Sequence, residues 1–168
     1  IEQYLLEVIT TNKNAVSMYE KLGFSKIRTL SLLELGGEAS FGHEPLIEID
    51  LRDIDMPEWD LLQSFWDGDP SWQNSISAIE RSRHQKRFVG AYHKDDCLGY
   101  IVYSANSGRI SQMAVDQNYR GLGIGTVMLE KLLSENDADA KPQVVNIDRS
   151  LSEAMTFFEN RGFKTKLN

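Results

Sequence analysis

The hydrophobic pattern of the chain switches between the periods of a strand and of a helix. Leu46 to Leu51 alternates and predicts a first strand. Apolar positions at helical spacing predict helices over Pro57 to Trp66 and Ser71 to Arg83. Arg87 to Tyr92 and Cys97 to Ser104 are apolar runs around Lys94-Asp95-Asp96, which reads as a hairpin. Ile110, Met113 and Val115 belong to a further strand, and Val127, Met128, Leu129, Leu132 and Leu133 then recur at helical spacing. A polar stretch from Asn136 to Pro142 leads to a strand at Val144 to Ile147. A helix carrying Ala154, Met155, Phe157 and Phe158 follows, closed by Arg161-Gly162-Phe163 with a C-cap glycine. Strands interleaved with helices place the chain in the α/β (α+β) class.

The chemistry concentrates at one junction, where the strand ending at Val115 passes through Arg120-Gly121-Leu122-Gly123-Ile124-Gly125-Thr126 into a helix. The first N–H groups of a helix have no internal acceptor, and the dipole is positive at that end, so an anion is favoured there. Glycines let a phosphate approach those amides and permit positive φ. Arg120 adds a charge-assisted contact. The nucleotide P-loop is excluded, because Gly125 is followed by Thr126 and Val127 where G-K-[S/T] is needed. The dinucleotide fingerprint G-x-G-x-x-G is excluded as well, since it requires glycine at Thr126 or Met128. The segment matches R/Q-x-x-G-x-G/A through Arg120, Gly123 and Gly125, and it resembles the acyl-CoA motif of the GNAT acetyltransferases.

The order of elements over about the last hundred and twenty residues agrees with that resemblance. It implies a mixed, mostly antiparallel sheet flanked by helices and splayed at a cofactor cleft. Acetyl-CoA or another acyl-CoA would be the co-substrate, with no metal. The pyrophosphate would lie on Arg120, Gly121, Leu122, Gly123, Ile124, Gly125 and Thr126. The pantetheine arm would pair with backbone at Met113, Ala114 and Val115 as an added strand does. The last helix and its Gly-Phe pair would form the other wall.

A second piece of the same pattern stands at the other end of the chain. Leu6-Glu7-Val8 through Asn12, Ala15, Tyr19-Glu20-Lys21-Leu22-Gly23-Phe24 repeats the C-terminal strand and helix: Ala15 aligns with Ala154, Glu20 with Glu159, Gly23 with Gly162 and Phe24 with Phe163, all at one offset. Residues 1–35 are therefore expected to be the C-terminal half of a first GNAT-like unit (strand, helix, strand), 36–45 a linker marked by Gly36-Gly37, Gly42 and Pro45, and 46–168 the acetyltransferase domain. The chain begins at Ile1 and holds no upstream part of the first unit, as expected of a truncated tandem protein. The half-copy should dock on the second domain or on another chain, giving a homodimer, and Ser25 to Leu35 is expected to cover a sheet edge.

The resemblance is weaker for catalysis. The family's tyrosine, which protonates the departing thiolate, corresponds to Tyr19 in the half-copy and to Phe158 in the full domain, and its helix-start asparagine corresponds to Asn12 and Leu151. Phenylalanine has no proton to give. Glu153, Asp148, or water held by Tyr103 or Gln112, are the open choices for a general base. The acceptor is expected to be an amine of a small molecule or protein. The aromatic helices around Trp59, Phe65, Trp66 and Trp72 carry Glu58, Asp60, Asp67 and Asp69, which favours a cationic acceptor. The alternative is a regulatory or structural domain of a tandem GNAT protein that binds acyl-CoA without turning it over.

Composition narrows the setting. A net charge of −7 opposes nonspecific nucleic-acid binding, and the local run Arg81, Arg83, Lys86 and Arg87 reads as a solvated helix end. His43, His84, His93 and Cys97 have no metal-ligand spacing, and the single cysteine excludes an internal disulfide. With no long apolar run and no signal sequence at residues 1–12, no membrane association is expected and a cytoplasmic location is.

Overall fold

The computed structural model describes residues 4–37, 39, 41, 44–136 and 140–167, with the side chain of Leu167 left aside. Ile1, and Gly42 and His43 of the expected linker, lie outside them. The elements run α1 (Lys13–Lys21), β1 (Leu30–Leu35), β2 (Asp50–Asp53), α2 (Trp59–Gln63), α3 (Ile76–Arg81), β3 (Arg87–His93), β4 (Asp96–Ser104), β5 (Arg109–Val115), α4 (Ile124–Glu135), β6 (Gln143–Asp148), α5 (Ser152–Glu159) and β7 (Phe163–Leu167). One sheet holds them in the order β2-β3-β4-β5-β6-β1-β7. Every pairing is antiparallel except β5 with β6.

The central strands are apolar on both sides because both sides are covered. On β4, Ile101 and Tyr103 join the core beneath α4 and α5, with Met128, Leu129, Leu132, Phe158 and Phe163. Tyr100 and Val102 point the other way, to a second core with Leu62, Phe65, Ile79 and Phe88. The helices on that second side are shorter than the periodicity suggests. The stretch 57–66 yields only Trp59–Gln63, and 71–83 breaks into a 3₁₀ turn at Trp72–Asn74, α3, and a second 3₁₀ turn at Arg83–Gln85. Ser64 and Ser75 turn their hydroxyls back on Leu61 O and Trp72 O, which competes with helix continuation. The first strand of the domain is also displaced, to Asp50–Asp53, where its partner β3 supplies the register Asp50↔Tyr92.

The N-terminal piece departs further from expectation. Leu6 to Val8 is not a strand, for no neighbouring strand pairs with it. Leu30–Leu35 does not cover an edge: it enters the sheet between β6 and β7, antiparallel to both, with Leu33↔Val144 on one side and Leu33↔Thr165 on the other. Leu33 is wholly buried.

The helix preceding β1 repeats the local geometry of α5 almost bond for bond. Asn12 takes φ −79°, ψ 74° and Leu151 takes φ −78°, ψ 70°, while Gly23 and Gly162 have φ +91° and +90°. The backbone bonds Asn12 N–Ile9 O, Leu22 N–Tyr19 O and Gly23 N–Glu20 O recur as Leu151 N–Asp148 O, Arg161 N–Phe158 O and Gly162 N–Glu159 O. Even the ring pairs match: Tyr19 meets Phe24 edge-on at 5.7 Å, and Phe158 meets Phe163 edge-on at 5.3 Å. The two helices differ in burial. α5 buries Phe158, whereas α1 buries no residue, leaving Met18 and Leu22 exposed.

Because β1 is an interior strand, Leu33→Ala should destabilise the protein by about 3 kcal/mol, the cost of a cavity in a packed core. Leu22→Ala, on the exposed helix, should change stability by less than about 0.5 kcal/mol. Urea unfolding of the two variants compares them directly.

Candidate functional site

The parallel pairing of β5 and β6 stops after Ile110↔Val144. Beyond it β5 continues to Val115, still bonded to β4 through Gly99↔Val115 and Ile101↔Met113, but its other side has no strand. The gap opens into a cleft of about 440 Å³ lined by Met113, Ala114, Val115, Arg120, Gly121, Leu122, Gly123, Ile124, Gly125 and Thr126 on one side and by Glu153, Ala154, Phe157, Phe158 and Arg161 on the other. Glu44, Leu46, Asp67 and Tyr119 complete its rim. Every residue the sequence assigned to cofactor binding thus lines one cleft with α5.

The loop leaves backbone amides unpaired where it enters α4. Asp116 caps the turn after β5 by accepting from Asn118 N at 2.9 Å. Gly121 and Gly123 then take φ +78° and +90°, which side chains rarely adopt. Gly123 is the N-cap of α4, and Val127 N is the first amide to reach an acceptor within the helix, Gly123 O. The amides of Ile124, Gly125 and Thr126 precede it at the positive end of the dipole. A Cβ at Gly125 would stand 2.9 Å from the Phe157 ring, so the glycine lets α5 pack closely against the start of α4. One at Gly123 would stand 2.8 Å from Pro45 Cα, where residues 45 and 46 cross the loop and Leu46 N bonds to Leu122 O.

The two arginines of the cleft differ in what satisfies them. Arg120 Nε donates to Val115 O at 3.1 Å and Nη2 to Phe65 O at 3.2 Å, and Nη1 pairs with Asp67 at 2.8 Å and Glu153 at 3.4 Å. Its guanidinium ties the loop to α2 and is already neutralised. Arg161 donates to Thr126 Oγ1 from Nε at 3.2 Å and Nη2 at 2.6 Å, and to Phe157 O from Nη1 at 2.9 Å, while its guanidinium lies 3.7 Å from the centre of the Phe157 ring. Among the described residues no carboxylate pairs with it, and burial lowers its pKa. Arg161 is thus a half-buried cation with only neutral partners beside a helix N-terminus, a part the sequence motif suggests for Arg120. The sequence reading gave this part to Arg120 and saw Arg161 only as the residue before a capping glycine. Its i, i+4 spacing from Phe157 is the signal that marks it.

The catalytic candidates are scattered. Phe158 is 5% exposed, between Phe157 at 5.1 Å and Phe163. Tyr103 donates to Glu135 at the end of α4, and burial pushes its hydroxyl pKa up. Asp148 accepts from Ser150 N and Oγ at the start of the α5 turn. Glu153 is exposed beside Arg120. Gln112 is buried in a chain of bonds in which Trp66 Nε1 donates to Tyr100 OH (2.5 Å), Tyr100 to Gln112 Oε1 (2.8 Å), Gln112 Nε2 to Asn74 O (2.6 Å) and Asn74 Nδ2 to Val145 O (2.7 Å). That chain carries no ionisable acid or base apart from Tyr100, whose pKa burial raises. Within the basic run Arg83 pairs with Glu80 and Arg87 with Asp53, while Lys86 donates to the hydroxyls of Ser104 and Ser111. Cys97 donates to Gly99 O, and burial raises its pKa too.

The family model described as an acetyltransferase (GNAT) domain matches residues 68–168. The chain belongs to the GNAT acetyltransferase family. Among solved structures, a GCN5-related N-acetyltransferase from Sphaerobacter thermophilus is similar with a TM-score of 0.64 at 14% identity, covering 95% of this chain and 55% of that one. A Drosophila protein is similar with a TM-score of 0.65 at 12% identity, covering 95% and 56%. A GNAT-family protein from Novosphingobium aromaticivorans reaches 0.57 at 19% identity, covering 84% and 62%. At these identities the likeness is one of GNAT fold. The chain spans little more than half the length of the first two. None of the curated proteins matches it at a significant level. No helix among the described residues is long and apolar enough to cross a membrane.

Since Arg120 satisfies two carbonyls as well as two carboxylates, Arg120→Met should lower the stability of this GNAT domain by about 2 kcal/mol, the cost of leaving buried acceptors unpaired. Denaturant unfolding measures it.

Proposed function

We propose that this domain transfers an acetyl group from acetyl-CoA to an amine of a small molecule or protein. One observation carries the reading: the open edge of β5, the free amides at the start of α4 and the unpaired charge of Arg161 line a single cleft. The fit to acetyl-CoA is chemical at each point. Backbone at Met113 to Val115 has no strand on its cleft side and suits the amides of a pantetheine arm. The loop from Gly121 to Thr126 suits a pyrophosphate, with Arg161 as its counter-charge. Apolar Phe157 and Ala154 would keep water from the arm.

The bound thioester supplies an activated acetyl carbonyl, and the residues position it against the amine. Phe158 removes the family's tyrosine acid but does not forbid transfer. The amine nitrogen sheds one proton as it forms the amide, and the departing thiolate takes up one, so the reaction needs a path for a proton rather than a net donor. We also read residues 4–35 as the end piece of a second GNAT-like unit, supported by the matching geometry of α1 and α5. A second reading, an acyl-CoA-binding unit without turnover, is favoured by Phe158 and Leu151 standing where the family has tyrosine and asparagine.

Calorimetric titration with acetyl-CoA should show binding, and release of free thiol on adding amines separates enzyme from binding unit. Gly123→Val should abolish binding, because it forces a side chain into a positive-φ position against Pro45. Arg161→Met should weaken it about tenfold, the value of one charge-assisted contact. Wild-type affinity in both variants contradicts the site.

A further inference from the structure

Outside the cleft, one carboxylate of a half-buried side chain, Glu7, has an oxygen shut off from solvent without a bond. Glu7 Oε2 accepts from Asn146 Nδ2 at 2.9 Å and from Gln73 Nε2 at 3.1 Å, while Oε1 is buried and has no partner. Ser71, two residues before Gln73, is 1% exposed, and its Oγ also lacks a partner. Native proteins rarely leave such groups unpaired, and each calls for an explanation such as a catalytic role or a bound water or ion.

The backbone beneath is shaped for the purpose. Asn146 has φ +58°, and the β1–β6 register shifts between Ser31↔Ile147 and Leu33↔Val144, so Asn146 lies in a bulge. From the last parallel pair, Ile110↔Val144, two residues on along each strand are Gln112 and Asn146. Gln112, the residue before Met113 of the cleft, bonds to Asn74 O, and the neighbours of Asn74 and of its acceptor Val145, Gln73 and Asn146, are the two residues that hold Glu7. Asn74 fastens the 3₁₀ turn at Trp72–Asn74 to Val145 O beside it, and Arg28 fastens the chain before Ser71 through Asp69 O (2.7 Å) and Pro70 O (3.1 Å). Glu7 is thus held between two structured walls, and it comes from the N-terminal piece outside the family match at 68–168.

We infer that Glu7, with Ser71, is the acceptor subsite: Oε1 receives the ammonium group of a cationic amine, and the Ser71 hydroxyl accepts a second of its N–H bonds. This rests on the acetyl-transfer reading above. An ammonium offers three donors and one positive charge, which matches an unpaired carboxylate oxygen and an unpaired hydroxyl. The same oxygen can take one proton from the ammonium, leaving a neutral amine with a free lone pair. Burial raises the Glu7 pKa against the opposing charge of Arg28, which suits a carboxylate to that exchange. Arg28 is itself paired with Asp148 at 3.9 Å.

The test uses the full chain saturated with coenzyme A, titrated with spermidine, agmatine and tyramine, and with pentanol as a neutral control. At least one amine should bind and pentanol should not. Glu7→Gln should weaken amine binding about tenfold or more, and Ser71→Ala, which removes a hydroxyl with no protein partner to lose, several-fold. Both variants should bind coenzyme A like the wild type. Coenzyme A binding with no amine bound, or with amine affinity unchanged in both variants, overturns the acceptor subsite alone. Failure of the wild type to bind coenzyme A overturns the transfer reading and the subsite with it.

Discussion

The structure depends on two parallel strands that stop pairing. β5 and β6 share only Arg109↔Gln143 and Ile110↔Val144, and beyond them β5 keeps β4 and β6 keeps β1 while their facing sides part. Gln112 on β5 donates to Asn74 O and Asn74 in turn donates to Val145 O on β6, with Asn146 next to it in a bulge at φ +58°. Backbone groups that lose a ladder must be satisfied elsewhere or face a ligand. The GNAT domain accepts that cost at Met113 to Val115, and the cleft follows from it.

The pieces that keep the strands apart come from distant parts of the sequence. β1 fills the place between β6 and β7, so the N-terminal piece is part of the domain's sheet and not an appendage. α2 and the turns around α3 cover the far face and are tied by Arg120 to the loop on the near one. Arg161 then joins α5 to the start of α4 through Thr126. Where Arg161 reaches Thr126, α5 and α4 lie so close that a Cβ on Gly125 would stand 2.9 Å from the Phe157 ring.

The glycine loop was legible because its signal is local: positive φ and a helix start need glycine at fixed spacing, whatever surrounds them. The repeat of α1 and α5 was legible for the same reason, since capping is a local property. What was not legible depended on partners. Leu6 to Val8 has the composition of a strand and finds no strand to pair with, while Leu30 to Leu35 finds two. The ion pairs of Arg120 with Asp67 and Glu153 join residues far apart in sequence, so the local motif does not announce them. Arg161 and Glu7 gain meaning only from what surrounds them in the fold: one a cation without an anion, the other a carboxylate with one oxygen unpaired.

The most direct test of the central claim is amide hydrogen exchange on the full chain with and without acetyl-CoA. If the parted strands and the helix end form the cofactor site, protection should rise at Met113 to Val115 and at Gly121 to Thr126 in the same titration. Protection confined to other segments, or to the loop with no change along β5, would contradict it.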